Sequence, residues 1–202
     1  MVALSLGAPR VDDALREAIA RGADRAVLVG DAALADVKAD TPGAARLLAA
    51  AVERLGDVGL VVCGAVALDS GAGEMPGRLA EALGWPMLSH IHAIDALGDD
   101  VVRVAQRTVQ LEADLPALLT VPQGVNRPRH MHGARAMTVY SQGEVLAWGL
   151  DDLGFTAEDL EPLTWVSGQR FPPERSLGAR LEGSLEEAVE SLVAHLRARE
   201  VI

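Results

Sequence analysis

Lysine is almost missing from this chain of 202 residues: Lys38 stands alone, and arginine carries the rest of the positive charge. We read that bias as a property of the genome or habitat, without chemical meaning. Lys and Arg together number 18 against 29 Asp and Glu, a net charge of -11. A uniformly acidic surface repels phosphate backbones, so no nucleic-acid partner is expected. Aromatic residues are only 3%, so the core must be built from Ala, Val, Leu and Ile. That composition suits a layered α/β fold. Cys63 is the single cysteine, which excludes an internal disulfide and points to a reducing, cytoplasmic setting. No basic stretch precedes an apolar one at the N-terminus, so no signal peptide is expected. No run reaches the ~18 continuous apolar residues of a membrane span, so no membrane insertion is expected.

What is present is periodic. Residues 2–6 and 25–29 read as short strands, and Val11, Ala14, Leu15, Ala18 and Ile19 recur at helical spacing between them, up to Gly22. Thr41-Pro42 reads as an N-cap followed by proline at the first helical position, opening an Ala/Leu helix to about residue 55. Gly59 to Gly64 is a continuous apolar run, the pattern of a strand in the middle of a parallel sheet. A helix over 76–83 stops at Gly84. The first ninety residues therefore read β-α-β-α-β-α. Then come strands at 87–94, 101–109 and 117–121, the first two joined as a hairpin at Gly98-Asp99-Asp100. The expected fold is α/β: a three-layer, Rossmann-like, mostly parallel sheet with an antiparallel edge hairpin and a C-terminal arm and helix. Two regions are expected, 1–150 as the α/β domain and 151–202 as the appendage. Within the latter, 155–182 reads as an extended arm and 184–199 as a helix, with Ser184 and Glu187 forming a capping box. Its Leu185, Val189, Leu192 and Leu196 make an apolar face for this chain or for a partner.

Motifs that could carry chemistry are few. Gly71, Gly73 and Gly77 are spaced one residue too widely for the dinucleotide fingerprint and start too far past the strand. A glycine-rich loop opening a helix is nonetheless a usable phosphate cradle. His90-Ile91-His92 and His130-Met131-His132 would each set two imidazoles on one face of a strand, but no carboxylate or thiol stands at helpful spacing, so no metal site is expected. Cys63 reads as a small buried hydrophobe. Ser5 and Ser70 lack a nucleophile-elbow context, and the acidic residues fall on helix faces and turns. The chain reads as a binding or carrier protein, not an enzyme.

Several segments, in order, resemble the β subunit of electron transfer flavoproteins. They are Ala14 to Ala18 with Gly22 to Ala26, and Asp40-Thr41 before an Ala/Leu helix. Next come Val62-Cys63-Gly64 with Ala67 and Asp69, then Leu79-Ala80-Glu81 and Leu83 to Pro86. Leu115 to Val121 resembles the family's signature run, and Asn126-Arg127-Pro128-Arg129 its N-x-P-R. Trp148 with Asp151 to Gly154 resembles the tail that follows, so the likeness covers about residues 2–155. It implies an electron carrier subunit paired with an α subunit that holds most of the FAD. Electrons would arrive from an acyl-CoA or related dehydrogenase and leave to a membrane quinone reductase. It also implies AMP binding at Leu6, Gly64, Ala65, Asp69, Ser70, Ala72, Gly73, Glu74 and Met75. A docking loop over 124–137 would present Val125, Asn126, Pro128 and Arg129.

Three departures from the family pattern bear on function. The family begins with a further strand and helix, and this chain starts at what resembles the second strand, as a truncation or as a shortened variant. The family's nucleotide loop, D-x-D-T-x-Q-x-G-P, here has Asp69, Gly71, Ala72, Glu74, Pro76 and Gly77 at the equivalent positions, with the methyl of Ala72 and the carboxylate of Glu74 where a hydroxyl and an amide stand. A carboxylate near a phosphate costs ~1 kcal/mol in repulsion. The signature region before Leu115 is shortened, leaving Arg107 and Glu112. A nucleotide-binding or scaffolding module without electron transfer is therefore the alternative expectation.

Overall fold

A computed structural model of the chain describes residues 1–30, 40–68, 71–143, 145–164, 167–168, 170–173, 178 and 180–201, with Gln142 described by its backbone alone. The residues form two compact units, 1–165 and 166–202. In chain order the first unit holds β1 (Val2–Leu6), α1 (Asp12–Arg21), β2 (Arg25–Val29), α2 (Thr41–Leu55), β3 (Leu60–Gly64) and α3 (Met75–Leu83). It continues with β4 (Met87–Leu88), β5 (Ala93–Leu97), β6 (Val101–Gln106), β7 (Val109–Asp114), β8 (Ala117–Val121), α4 (Gly133–Gln142) and β9 (Leu146–Trp148). The second unit contains α5 (Leu185–Ala198). This is the mostly parallel, Rossmann-like α/β fold that the sequence predicts.

Local chemistry sets the helix boundaries. Asp12 and Asp13 lie in the first turn of α1, where they favour the positive end of the helix dipole, and Gly22 closes it at φ +127°. In α2 the cap is Asp40, not the expected Thr41. The Asp40 side chain accepts from the Gly43 amide at 3.0 Å, and Thr41 becomes the first helical residue. Gly84, left-handed at φ +67°, ends α3. In α5 the Ser184–Glu187 capping box is formed, while Leu185, Val189 and Leu192 remain exposed.

Three sheets of three strands are present among the described residues. One runs β1-β2-β9 and a second β3-β8-β4, both parallel. The third is the antiparallel meander β5-β6-β7. The antiparallel part thus has one strand more than the expected hairpin. Arg107, at φ +52°, turns the chain inside the predicted 101–109 strand, and Val109 starts a return strand whose Leu111 and Ala113 face the core. The predicted 87–94 strand is divided at His90, at φ +54°, into β4 and β5.

The core forms where the strands are covered on both faces. Val27 and Val29 of β2 and Leu118 and Leu119 of β8 are fully buried. At about 2 kcal/mol for each large aliphatic side chain, such positions dominate the stabilisation. Helix α2 serves both parallel sheets: Leu47 and Ala51 pack with Val29 and, through it, Leu4 and Leu6 of β1. Ala49 packs with Leu79 and Leu118, with Val61 and Cys63 of β3 at the margin. Leu150 and Leu160 join the first of these clusters, so the chain beyond 155 turns back into the core instead of leaving at once as an arm. Contrary to its reading as a central strand, β3 ends its sheet, with Val62 50% exposed, because no described strand pairs with its second edge.

Candidate functional site

In parallel α/β sheets, ligand sites form beyond the carboxyl ends of the strands, where helices begin. Here the carboxyl end of β3 and the amino ends of α2 and α3 enclose a cleft of about 430 Å³, lined by Asp40, Thr41, Cys63, Gly64, Gly73 and Glu74, among others. That volume falls within the about 300–1,000 Å³ of small-molecule sites. The loop between β3 and α3 is held by the amide of Ala65, which donates to the Val121 carbonyl at 3.1 Å, and by that of Gly71, which donates to Ala67 at 2.9 Å. Gly73 sits at φ +66°, and a Cβ there would stand 3.3 Å from the Ala65 carbonyl oxygen and from Val66 Cγ1. Both features favour glycine, which also lets the backbone border the cleft directly.

Two carboxylates flank the cleft, and both are engaged. Asp40 accepts from the Gly43 amide and, through its other oxygen, from the amides of Leu163 at 2.9 Å and Thr164 at 3.2 Å. The bond from Gly43 is the main cause holding its carboxyl below the ordinary 3.8. Glu74 stands at the N-cap of α3 yet makes no capping bond. Its Oε2 instead accepts from Nε and Nη2 of Arg78, both at 3.1 Å. The side chain thus leaves the leading amides of α3 uncapped, and its charge is paired. The ~1 kcal/mol repulsion expected between Glu74 and a phosphate is accordingly offset by a cation. Burial pushes the Cys63 thiol up to about 11, so it is a neutral wall of the cleft, not a nucleophile. Residues Gly73 and Glu74 also border a second recess of about 390 Å³, with Ala65, Arg78, Ser89 and His90.

Of the residues expected at a nucleotide site, Gly64, Ala72, Gly73, Glu74 and Met75 share the cleft, and Ala65 lines the adjoining recess. Leu6 borders neither; it ends β1, in the other parallel sheet. Asp69 and Ser70 lie outside the described residues. Asp40, Thr41, Cys63 and Arg78 were missed as a set. The helix pattern held a signal for Arg78, which follows Glu74 by four residues.

In the expected docking segment, Val125 is half-buried in a turn, and Asn126, Pro128 and Arg129 are exposed. The segment is shorter than the predicted loop, because α4 begins at Gly133. Arginines secure it to α1 and the loop that follows. Arg21 Nη1 donates to the Arg129 carbonyl at 2.9 Å and Arg135 Nη2 to that of Ala23 at 2.9 Å. Arg16 Nη1 donates to the carbonyls of Val139 and Gly143 at the end of α4. Among the described residues no group of three or more His, Cys, Asp or Glu is gathered to hold a metal. The positive φ of His90 takes it out of the strand geometry that would align it with His92.

The family described as electron transfer flavoprotein domain matches residues 1–144. An electron transfer flavoprotein subunit beta from Thermoanaerobacterium thermosaccharolyticum is 31% identical over 208 residues, covering 98% of this chain and 78% of that protein. A caffeyl-CoA reductase-Etf complex subunit CarD from Acetobacterium woodii is 29% identical, covering all of this chain and 79% of its own length. An acryloyl-CoA reductase electron transfer subunit gamma from Anaerotignum propionicum is 28% identical, again over the whole chain and 79% of its own length. The chain belongs to the electron transfer flavoprotein β-subunit family.

Proposed function

We propose that this chain is the β subunit of a two-subunit electron carrier, paired with an α subunit that holds most of the FAD. The observation that carries this reading is the family match over residues 1–144, together with the likeness to a β subunit across nearly the full chain. The flavin supplies the redox chemistry. This chain supplies structural support, an adenosine-phosphate cleft and a docking segment. Electrons arrive from an acyl-CoA-type dehydrogenase or reductase. Two relatives named for caffeyl-CoA and acryloyl-CoA reductases support CoA-ester chemistry beside the carrier. Docking uses Val125 as a small apolar anchor, with Asn126, Pro128 and Arg129 around it. Such a small contact suits brief, fast encounters. No catalytic step is assigned to this chain, and the complex works in the cytoplasm.

The proposed nucleotide is AMP, held by Gly64, Ala72, Gly73, Glu74 and Met75, with Ala65, Asp69 and Ser70 from the same loop and Leu6 from β1. The fit rests on the exposed backbone at Gly73 and the uncapped start of α3, both suited to an anion. Co-expression with an adjacent α-subunit gene and purification as a complex tests the reading. A yellow one-to-one complex with flavin absorbance is expected. A colourless chain that leaves the α subunit behind contradicts it. The second reading, a nucleotide-binding or scaffolding module without electron transfer, is favoured in its scaffolding form by Ala72 and Glu74 at positions where donors would serve a phosphate. It predicts a chain that never acquires flavin, and calorimetry with AMP, ADP and ATP divides the two forms: heat marks a nucleotide-binding module and its absence a scaffold.

A further inference from the structure

Among the described residues Thr120, near the end of β8, is the one polar side chain that is buried, at 3% exposure. It organises the kink between β4 and β5. Its Oγ1 accepts from the amide of His90 at 2.8 Å, and its carbonyl accepts from that of Ile91 at 2.8 Å. From β6 the side-chain amide of Gln106 donates to the Ser89 carbonyl at 2.7 Å. These bonds pin residues 89–91 and hold His90 in the left-handed region at φ +54°. Residues with a Cβ stay there only where the surroundings impose it.

The kink faces a ligand-sized space. The recess of about 390 Å³ adjoins the nucleotide cleft and shares Gly73, Glu74 and Pro76 with it. Ser89, His90, Thr120 and Arg78 all line the recess. Among the described residues the hydroxyl proton of Thr120, the hydroxyl of Ser89, the ring of His90 and Nη1 of Arg78 have no hydrogen-bond partner. The buried Thr120 proton is the costly one, because a buried donor without an acceptor loses its hydration for nothing. Glu74, the carboxylate on the same wall, is already paired with Arg78. Hydroxyls, an imidazole that carries an N–H in either tautomer, and a guanidinium together call for an anion with several acceptor oxygens. A phosphoryl group offers them to all of these donors at once.

We propose that this recess is the phosphoryl subsite of the nucleotide site, with Thr120, Ser89, His90 and Arg78 as its side-chain donors. The inference rests on the nucleotide reading of the cleft and adds residues to it that lie outside the β3–α3 loop. The start of α3 supplies backbone amides to the phosphate, and the β4–β5 kink with the end of β8 supplies side chains.

Titration calorimetry of the full chain with AMP and with adenosine tests it, adenosine serving as the ligand without the phosphoryl group. The wild-type chain should bind AMP more tightly than adenosine. Ser89→Ala combined with His90→Gly, which accepts the positive φ without strain, should weaken AMP binding by about tenfold and leave adenosine binding as it was. Thr120→Val should act in the same direction, and Thr120→Ser, which keeps the hydroxyl, should restore the affinity. Unchanged AMP affinity in the double variant, with its melting temperature retained, overturns the subsite and leaves the cleft reading standing. An equal loss for AMP and adenosine also overturns it. A wild-type chain that binds neither ligand overturns the nucleotide reading itself, and the subsite with it.

Discussion

Arg78 closes on Glu74 with two donors, its Nε and Nη2 each 3.1 Å from the same carboxylate oxygen one helical turn earlier. This pair turns a residue that looked hostile to a phosphate into a compensated one. Both side chains are about half exposed, at 46% and 51%, so the pair contributes little to stability, about 0.3–0.5 kcal/mol. Its consequence lies in the field at the cleft. Arg78→Met leaves the carboxylate alone there and should weaken AMP binding by about fivefold at low salt, an effect that shrinks as salt rises. Glu74→Gln should at least preserve the affinity. Titration calorimetry at two salt concentrations reads both, and an Arg78→Met chain with unchanged affinity would show that the pair lies outside the field of the ligand.

Gly73 is the position where the cleft loop tolerates least. Gly73→Ala places a methyl 3.3 Å from the Ala65 carbonyl oxygen at a φ of +66°. A left-handed non-glycine residue costs about 1–2 kcal/mol before any contact is counted. Denaturant unfolding should show a loss of that order. Calorimetry should show weaker nucleotide binding, because the backbone beside the ligand has to shift. Gly77→Ala, inside α3 with nothing near its Cβ, is the control and should not lose stability.

Asp40 ties the start of α2 to the segment at 163–164 and carries a pH dependence of known sign. Its carboxyl is held below the ordinary 3.8, chiefly by the Gly43 amide and then by those of Leu163 and Thr164. A group with a lowered folded pKa adds stability above its unfolded value, and that share is lost as pH falls through the folded value. Thermal melts taken from about pH 5 downward should therefore fall less steeply for Asp40→Asn, which keeps the cap without the charge. Identical slopes in the two proteins would remove Asp40 from the acid transition.

Leu160 and Leu192 are both leucines outside the sheets, and they differ in consequence. Leu160 is 1% exposed among Val29, Leu47, Ala51 and Leu150, so Leu160→Ala should cost about 2–5 kcal/mol in denaturant unfolding. Leu192 is 46% exposed on α5, and Leu192→Asp should leave the melting temperature of the chain alone nearly unchanged. A large loss from the second substitution would mean that the apolar face of α5 is already covered.

Much of this was legible beforehand because periodicity reports burial. The apolar spacing of α1 and α2, and the run from Ala117 to Val121, encode the covered elements directly. The misreadings fall where the same pattern serves two outcomes. Val109 to Asp114 alternates in period two, yet the sequence reading ends a strand at Val109 and leaves 110–114 unassigned, because Arg107, an ordinary residue at positive φ, is no visible breaker. Leu160 is an isolated apolar residue among Glu and Asp, so nothing local reveals that it anchors the chain. The run at Gly59 to Gly64 correctly announced a strand built for burial. It could not announce that the strand would stand at an edge, which depends on what pairs with it. In the cleft, glycines and proline marked the loop, but Asp40 and Cys63 arrive from distant segments and meet it only through the parallel sheet.

Flavin reduction in the assembled complex is the most direct test of electron transfer through this chain. The chain is purified with its α subunit and mixed anaerobically with an acyl-CoA dehydrogenase and its acyl-CoA substrate, and the flavin absorbance is followed in time. An electron-carrier subunit should give bleaching of the bound flavin that depends on the dehydrogenase, and slower bleaching at limiting dehydrogenase when Val125→Asp removes the apolar anchor. A flavin-loaded complex that the dehydrogenase and its CoA-type relatives leave fully oxidised would contradict it.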